Sequence, residues 1–195
     1  MQAPAPVTLE GAVVRLEPLS SAHRNGLAAA AEAEPGAFGR YGPLFVAGGV
    51  DGWLDQALEE HGAGARLPFC VILREHDRVV GSSSYLDIAP ADGRIEIGHT
   101  WYGGAAQGTR VNPDAKLLML EHAFDVLGAA RVTLKTDALN ARSRAAILKL
   151  GAQFEGVLRQ HSRRHDAPGL RDTAIYSILA DEWPAVRAGL QARVA

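Results

Sequence analysis

The segment 101–116 (WYGGAAQGTRVNPDAK) carries residues suited to holding a phosphate. A strand leads into it, a glycine-rich loop crosses it and a helix opens from it. Unpaired N–H groups at a helix start, together with the positive end of the helix dipole, attract anions. Gly103, Gly104 and Gly108 allow the chain to wrap a ligand closely, and Arg110 and Lys116 add charge nearby. The loop is neither a Walker loop nor a Gly-x-Gly-x-x-Gly dinucleotide turn. An ordinary glycine-rich connection fits the spacing equally well. A second segment, 135–156 (KTDALNARSRAAILKLGAQFEG), sets Asn140 at a strand-to-helix junction and Ser143 three residues later. Taken alone, Asn140 reads as a helix N-cap and Ser143 as a solvated first-turn residue.

Periodicity supplies the elements that must position these groups. Strands are expected at 13–18, 68–75, 78–88, 94–102, 131–137, 152–161 and 170–179, from alternation and β-branched content. The turn at His76-Asp77 makes a hairpin of the second and third. Helices are expected at 20–34, 51–61, 112–127, 140–150 and 181–194. Asn112 reads as the N-cap of the third helix, with Pro113 at its first position and Gly128 at its end. The resulting order is mixed α/β, not the strict βαβ alternation of a doubly wound sheet.

With 195 residues and 20.7 kDa, the chain reads as one domain over 1–195. The single Cys70 admits no internal disulfide, which suits a reducing cytoplasm, and it reads as core inside PFCVIL. Neither a membrane span nor a signal peptide is visible. A net charge of −2 argues against a general nucleic-acid binder. That total hides a gradient: residues 1–65 carry −5 and residues 130–195 carry +5. Either charge is scattered by chance, or the last third meets something anionic.

Together the two segments resemble the GNAT superfamily of acetyl-CoA-dependent N-acetyltransferases, and most nearly its branch of ribosomal-protein N-terminal (alanine) acetyltransferases. The likeness runs from Leu9-Glu10-Gly11 and Val14-Arg15-Leu16 to Glu182-Trp183-Pro184. Between them lie Ile97-Gly98-His99-Thr100-Trp101, Gln107-Gly108-Thr109, Val111-Asn112 and Asn140-Ala141-Arg142-Ser143. Lys149-Leu150-Gly151-Ala152, Glu155-Gly156-Val157-Leu158-Arg159 and Arg171-Asp172-Thr173 follow.

The resemblance implies a mixed, mostly antiparallel sheet flanked by helices, its fourth and fifth strands (94–102 and 131–137) splayed to admit the pantetheine arm. Backbone groups of Gly98, Thr100 and Trp101 are then expected to pair with that arm. The loop Gln107, Gly108, Thr109, Arg110, Val111 and Asn112 is expected to hold the pyrophosphate. Asn140 binds pantetheine in this reading, Ser143 faces the sulfur as general acid, and Arg142 and Lys149 approach the nucleotide. Arg110 departs from the small residue common in the family's loop. It either adds a charge-assisted contact, the favoured reading, or loosens the wrap.

Acetyl transfer to a primary amine, such as a protein N-terminus, is the implied activity, with no metal. A non-catalytic acyl-CoA-binding module of the same fold is the alternative. Glu96, His99, Glu155 and His161 are candidates for the base, with Glu96 placed first, His99 second and Glu155 read as structural. His161, His165 and Asp166 allow a metal site to be imagined, but a basic hairpin with Arg159, Arg163, Arg164 and Arg171 is the simpler reading. Trp53 and Trp183 read as packing residues. The likeness is compatible with a homodimer.

Overall fold

The computed structural model describes residues 1–33, 48–164 and 168–195. Among them, eight strands form one sheet in the order β1-β2-β3-β4-β5-β6-β8-β7. These are β1 (Leu9–Glu10), β2 (Val14–Pro18), β3 (Arg66–Leu73), β4 (Arg78–Ala89), β5 (Arg94–Tyr102), β6 (Arg131–Asp137), β7 (Gln153–Arg163) and β8 (Leu170–Leu179). Five α-helices flank it: α1 (Arg24–Glu32), α2 (Gly49–Gly62), α3 (Val111–Glu121), α4 (Ala141–Lys149) and α5 (Trp183–Val194). Every neighbouring pair is antiparallel except β5 and β6, which run parallel. These two are the fourth and fifth strands of the sequence reading. The mixed, mostly antiparallel fold is as expected, with the two-residue β1 as the added element.

Apolar residues leave the sheet on both faces and are covered by different helices. On one face Val71, Tyr85, Ile95 and Ile97 pack beneath Ala115 and Met119 of α3 and Leu190 of α5. On the other, Cys70, Ile72 and Trp101 meet Leu27 of α1 and Trp53, Leu54 and Ala57 of α2. Cys70 is fully buried there, and burial pushes its thiol up to about 12. Trp183 stacks on Phe124 at 5.4 Å between ring centroids, a packing role as expected. No helix among the described residues is long and apolar enough to cross a membrane.

Helix boundaries differ from expectation by up to six residues, most at α1 and α3. α3 begins at Val111, so Asn112 is not its N-cap. Thr109 does that work, its Oγ1 accepting from Val111 N at 3.2 Å while donating to Ala106 O at 2.7 Å. Five residues, His122–Val126, then close the helix as a π turn. At the front, one 3-10 turn (Ser21–His23) precedes α1, and Glu34 lies outside the described residues.

Candidate active site

β5 and β6 pair only at Arg94↔Arg131, Ile95↔Val132 and Glu96↔Thr133. Beyond Glu96 they part, although β5 continues to Tyr102 and β6 to Asp137. The splay inferred from the resemblance is therefore present, and its cause is a bulge. Across the β4–β5 ladder Ser82 faces Trp101 and Ser84 faces Gly98, so His99 and Thr100 together oppose Ser83 alone. His99 takes a left-handed φ of 47° to make room. An extra residue bends and twists its strand. Here the bend follows the point, Glu96, at which β5 and β6 stop pairing.

A cavity of about 710 Å³ fills the opening. Its walls include Glu96, Gly98, His99, Thr100, Trp101, Gln107, Gly108, Asn112, Asn140, Arg142 and Ser143. Distant stretches of sequence thus converge on one space. Four of the expected site residues do not line it. Val111 is a core residue, 3% exposed, and Thr109 is the cap described above. Arg110 donates to the carbonyls of Val194 (2.9 Å) and Ala195 (3.1 Å). These two bonds set one guanidinium nitrogen of Arg110 against the end of α5. Lys149 likewise lies outside the cavity, its carbonyl accepting from Arg193 at 2.8 Å.

The loop after β5 is braced from within. Gln107 Nε2 donates to Tyr102 O at 2.9 Å, and Arg142 Nη1 donates to Gln107 Oε1 at 2.8 Å. Gly108 has φ 75°, with open space where a side chain would stand. Asn140 is the N-cap of α4, its Oδ1 accepting from Ser143 N at 3.0 Å. The cap uses one lone pair of that oxygen, so the other lone pair and the amide –NH₂ are left to meet a ligand. Cap and ligand contact are compatible readings of one residue.

Glu96 is the last residue of β5 paired with β6 and stands at the head of the splay. Its carboxylate bonds Lys135 Nζ at 2.8 Å and lies over Gly98, where an added Cβ would meet Glu96 Oε1 at 2.9 Å. Thr133 and Lys135 are two residues apart on β6, so Lys135 shares the Glu96 face of the sheet. Glu155, by contrast, is held by Arg131 and by Ser177 Oγ (2.8 Å), and the guanidinium lowers its carboxyl below the ordinary range. It does not line the cavity. His161 does, with Nδ1 3.2 Å from Thr173 Oγ1, as do Arg164 and Arg171. His165 and Asp166 lie outside the described residues.

Sequence reasoning missed other wall residues: Arg66, Asp137, Lys135, Trp53 and the depth of Lys116. Trp53 is both packing and wall, edge-on to Trp101 with centroids 5.3 Å apart. Arg66 lies against the Trp53 ring at 5.3 Å and donates to Ser84 Oγ at 2.8 Å. Asp137 Oδ1 accepts from Leu139 N at 2.8 Å. Lys116 is 4% exposed and sends Nζ to Thr100 Oγ1 (2.7 Å) and Ser83 Oγ (3.1 Å). Burial pulls its amine down to about 7. Charge and alternation show none of this, since the packing of α3 beneath the bulge is a tertiary fact.

Residues 14–153 match the family model described as acetyltransferase (GNAT) domain. A curated relative, the uncharacterized N-acetyltransferase p20 of Bacillus licheniformis, is 28% identical over 115 residues. That match takes in 59% of this chain and 63% of the relative. Among solved structures, a GCN5-related N-acetyltransferase from Brucella melitensis superposes with a TM-score of 0.88 at 34% identity, covering 99% of this chain and 87% of that one. The ribosomal-protein-S5-alanine acetyltransferase from Vibrio fischeri shares the fold, with a TM-score of 0.71 at 18% identity over 91% and 98% of the two chains. A family model covering most of the chain, and a wedge between β5 and β6 opened by a bulge, lead to one assignment: this chain belongs to the GNAT acetyltransferases.

Proposed function

We propose that residues 1–195 work as one domain that moves an acetyl group from acetyl-CoA to a primary amine by direct attack. The single observation that carries this reading is that β6 leaves the side of β5 after Glu96, and the cavity between them also reaches the loop at Gln107 and the cap at Asn140. An extended pantetheine arm matches that side of β5 because its amides can stand where β6 no longer pairs. The N-terminus of α3 and the loop before it suit the pyrophosphate.

In this mechanism the neutral amine attacks the thioester carbon, and Glu96 takes the amine proton through water. A β5 backbone N–H holds the developing oxyanion. As the tetrahedral intermediate collapses, the C–S bond breaks, Ser143 gives its proton to the departing thiolate, and solvent water returns a proton to Ser143 while taking one from Glu96. An α-amine, with a pKa of about 8, loses its proton about two units more readily than a lysine side chain near 10.4. That difference favours a protein N-terminus as acceptor, and the name of the Vibrio fischeri protein points the same way. The lone Cys70 supports transfer without an acyl-enzyme, being buried, with its thiol pushed up to about 12.

Thiol release from acetyl-CoA, measured against N-terminal peptides and small amines, tests the proposal. Turnover with at least one amine is expected. Binding of acetyl-CoA without turnover on any of them would favour a non-catalytic binding module, and no binding would end both readings.

Two substitutions separate the roles on α4. Asn140→Ala is expected to weaken acetyl-CoA binding about tenfold, or about 1.4 kcal/mol by calorimetry. The fold should lose about 1 kcal/mol with the cap. Losses of equal size would leave only the cap. Ser143→Ala is expected to slow turnover roughly tenfold, a modest share of the usual proton-transfer contribution, with affinity within about twofold. Unchanged turnover would remove Ser143 from the acid role.

A further inference from the structure

We propose that Lys116 is a positioning residue for acyl transfer, its Nζ bridging Thr100 and Ser83 across the bulge and so fixing the angle at which β5 faces the cavity. The inference rests on the acetyl-transfer reading above.

The geometry is specific. The bulge sets two residues of β5, His99 and Thr100, against Ser83 of β4. Lys116 reaches both strands at that level, 2.7 Å to Thr100 Oγ1 and 3.1 Å to Ser83 Oγ. The two hydroxyls are themselves 2.7 Å apart, which closes a triangle of polar groups over the irregularity. A left-handed non-glycine residue such as His99 persists only where its surroundings over-determine it. The triangle supplies that constraint from the α3 side of the sheet.

A space-filling role does not account for this residue. Among the described residues no carboxylate lies within 4 Å of Nζ to offset its burial, and the hydroxyls are its partners there. The lysine therefore opposes folding: a buried amine without a counter-charge favours the unfolded chain, where it is solvated. An unbranched apolar side chain of similar length fits the same channel without that penalty. Removing a merely structural residue lowers stability, whereas removing this one is expected to raise it.

Lys116→Met in the full chain gives the test. Thermal melting near pH 7 is expected to rise by a few degrees. Acetyl-CoA affinity by calorimetry should stay within about threefold, and kcat should fall about thirtyfold with KM for the amine little changed. Thr100→Val should lower kcat similarly, and the double variant should lose no more than either single one, because the lysine acts through the threonine. Amide hydrogen exchange read on the peptide covering 98–101 should speed up in Lys116→Met while the rest of β4 and β5 keeps its protection. Unchanged exchange over 98–101, or unchanged kcat, would overturn the proposal. So would parallel losses of melting temperature and kcat, since they mark a structural residue. If the wild-type chain releases no thiol from acetyl-CoA with any amine, the acetyl-transfer reading fails, and the exchange measurement still decides whether Lys116 holds the bulge.

Discussion

Glu96→Gln is expected to lower kcat about a hundredfold, at the low end for a lost general base, with acetyl-CoA affinity within about twofold. Glutamine keeps the volume and an oxygen for Lys135, which stands 2.8 Å from the carboxylate, but it cannot take a proton. Glu96 is the base we propose among the candidates. It ends the pairing of β5 with β6, lies over Gly98, and faces the cavity while only 9% exposed. His99 occupies the bulge itself, so His99→Gln serves as the comparison, with a loss of less than about threefold where a single catalytic proton transfer contributes at least a hundredfold. The discriminating measurement is kcat for both variants with one peptide acceptor. Should His99→Gln fall as far as Glu96→Gln is expected to, the base is the histidine.

Gly81→Ala should be the most damaging single-methyl addition to the sheet. A Cβ there would stand 2.1 Å from Trp101 O and 2.9 Å from Tyr102 Cα, both backbone atoms that cannot rotate aside. Gly81 is paired with Tyr102 one step beyond the bulge, so the new methyl must push β4 from β5 where their spacing sets the wedge. Forcing a group into so tight a contact costs at least about 3 kcal/mol, the upper range for overpacking. For a chain of this length that corresponds to a melting temperature lower by about 6–12 °C. A drop below about 2 °C in a thermal melt would mean that the strands separate freely, and that the bulge is softer than its contacts suggest.

How far these features could be read from residue order depends on whether their cause is local. β5, β6 and β8 occupy the expected residues because alternation and β-branching are written within each strand. The cap at Asn140 was legible for the same reason: its bond to Ser143 N spans three residues. The bulge was not, because it is a mismatch between β4 and β5, and a histidine at φ 47° has no compositional signature. Lys116 was read as charge beside a phosphate loop. Its depth follows from how α3 lies beneath β5, which periodicity does not encode. The contact of Arg110 with the end of α5 was not legible, because those carbonyls belong to residues more than eighty positions away. The wedge itself was legible only through family resemblance.

The strand at the rim of the sheet has a consequence for how this protein behaves in concentrated solution. Among the described residues no strand pairs with β7 on its outer side, and along most of its length its side chains are exposed, Phe154, Val157 and Leu158 among them. An open border of that kind invites a second sheet to zip onto it. Two breaks in register, at Phe154/Gly156 and Leu158/Ser162, interrupt the row of backbone groups that zipping requires. Gln160 turns to φ 49° at the second and gives its N–H inward to Asp172 at 2.8 Å. Arg159 and Arg163 add like charge on either side of that break. The irregularity thus denies a straight template to a second chain, and protects the rim against indefinite side-by-side growth.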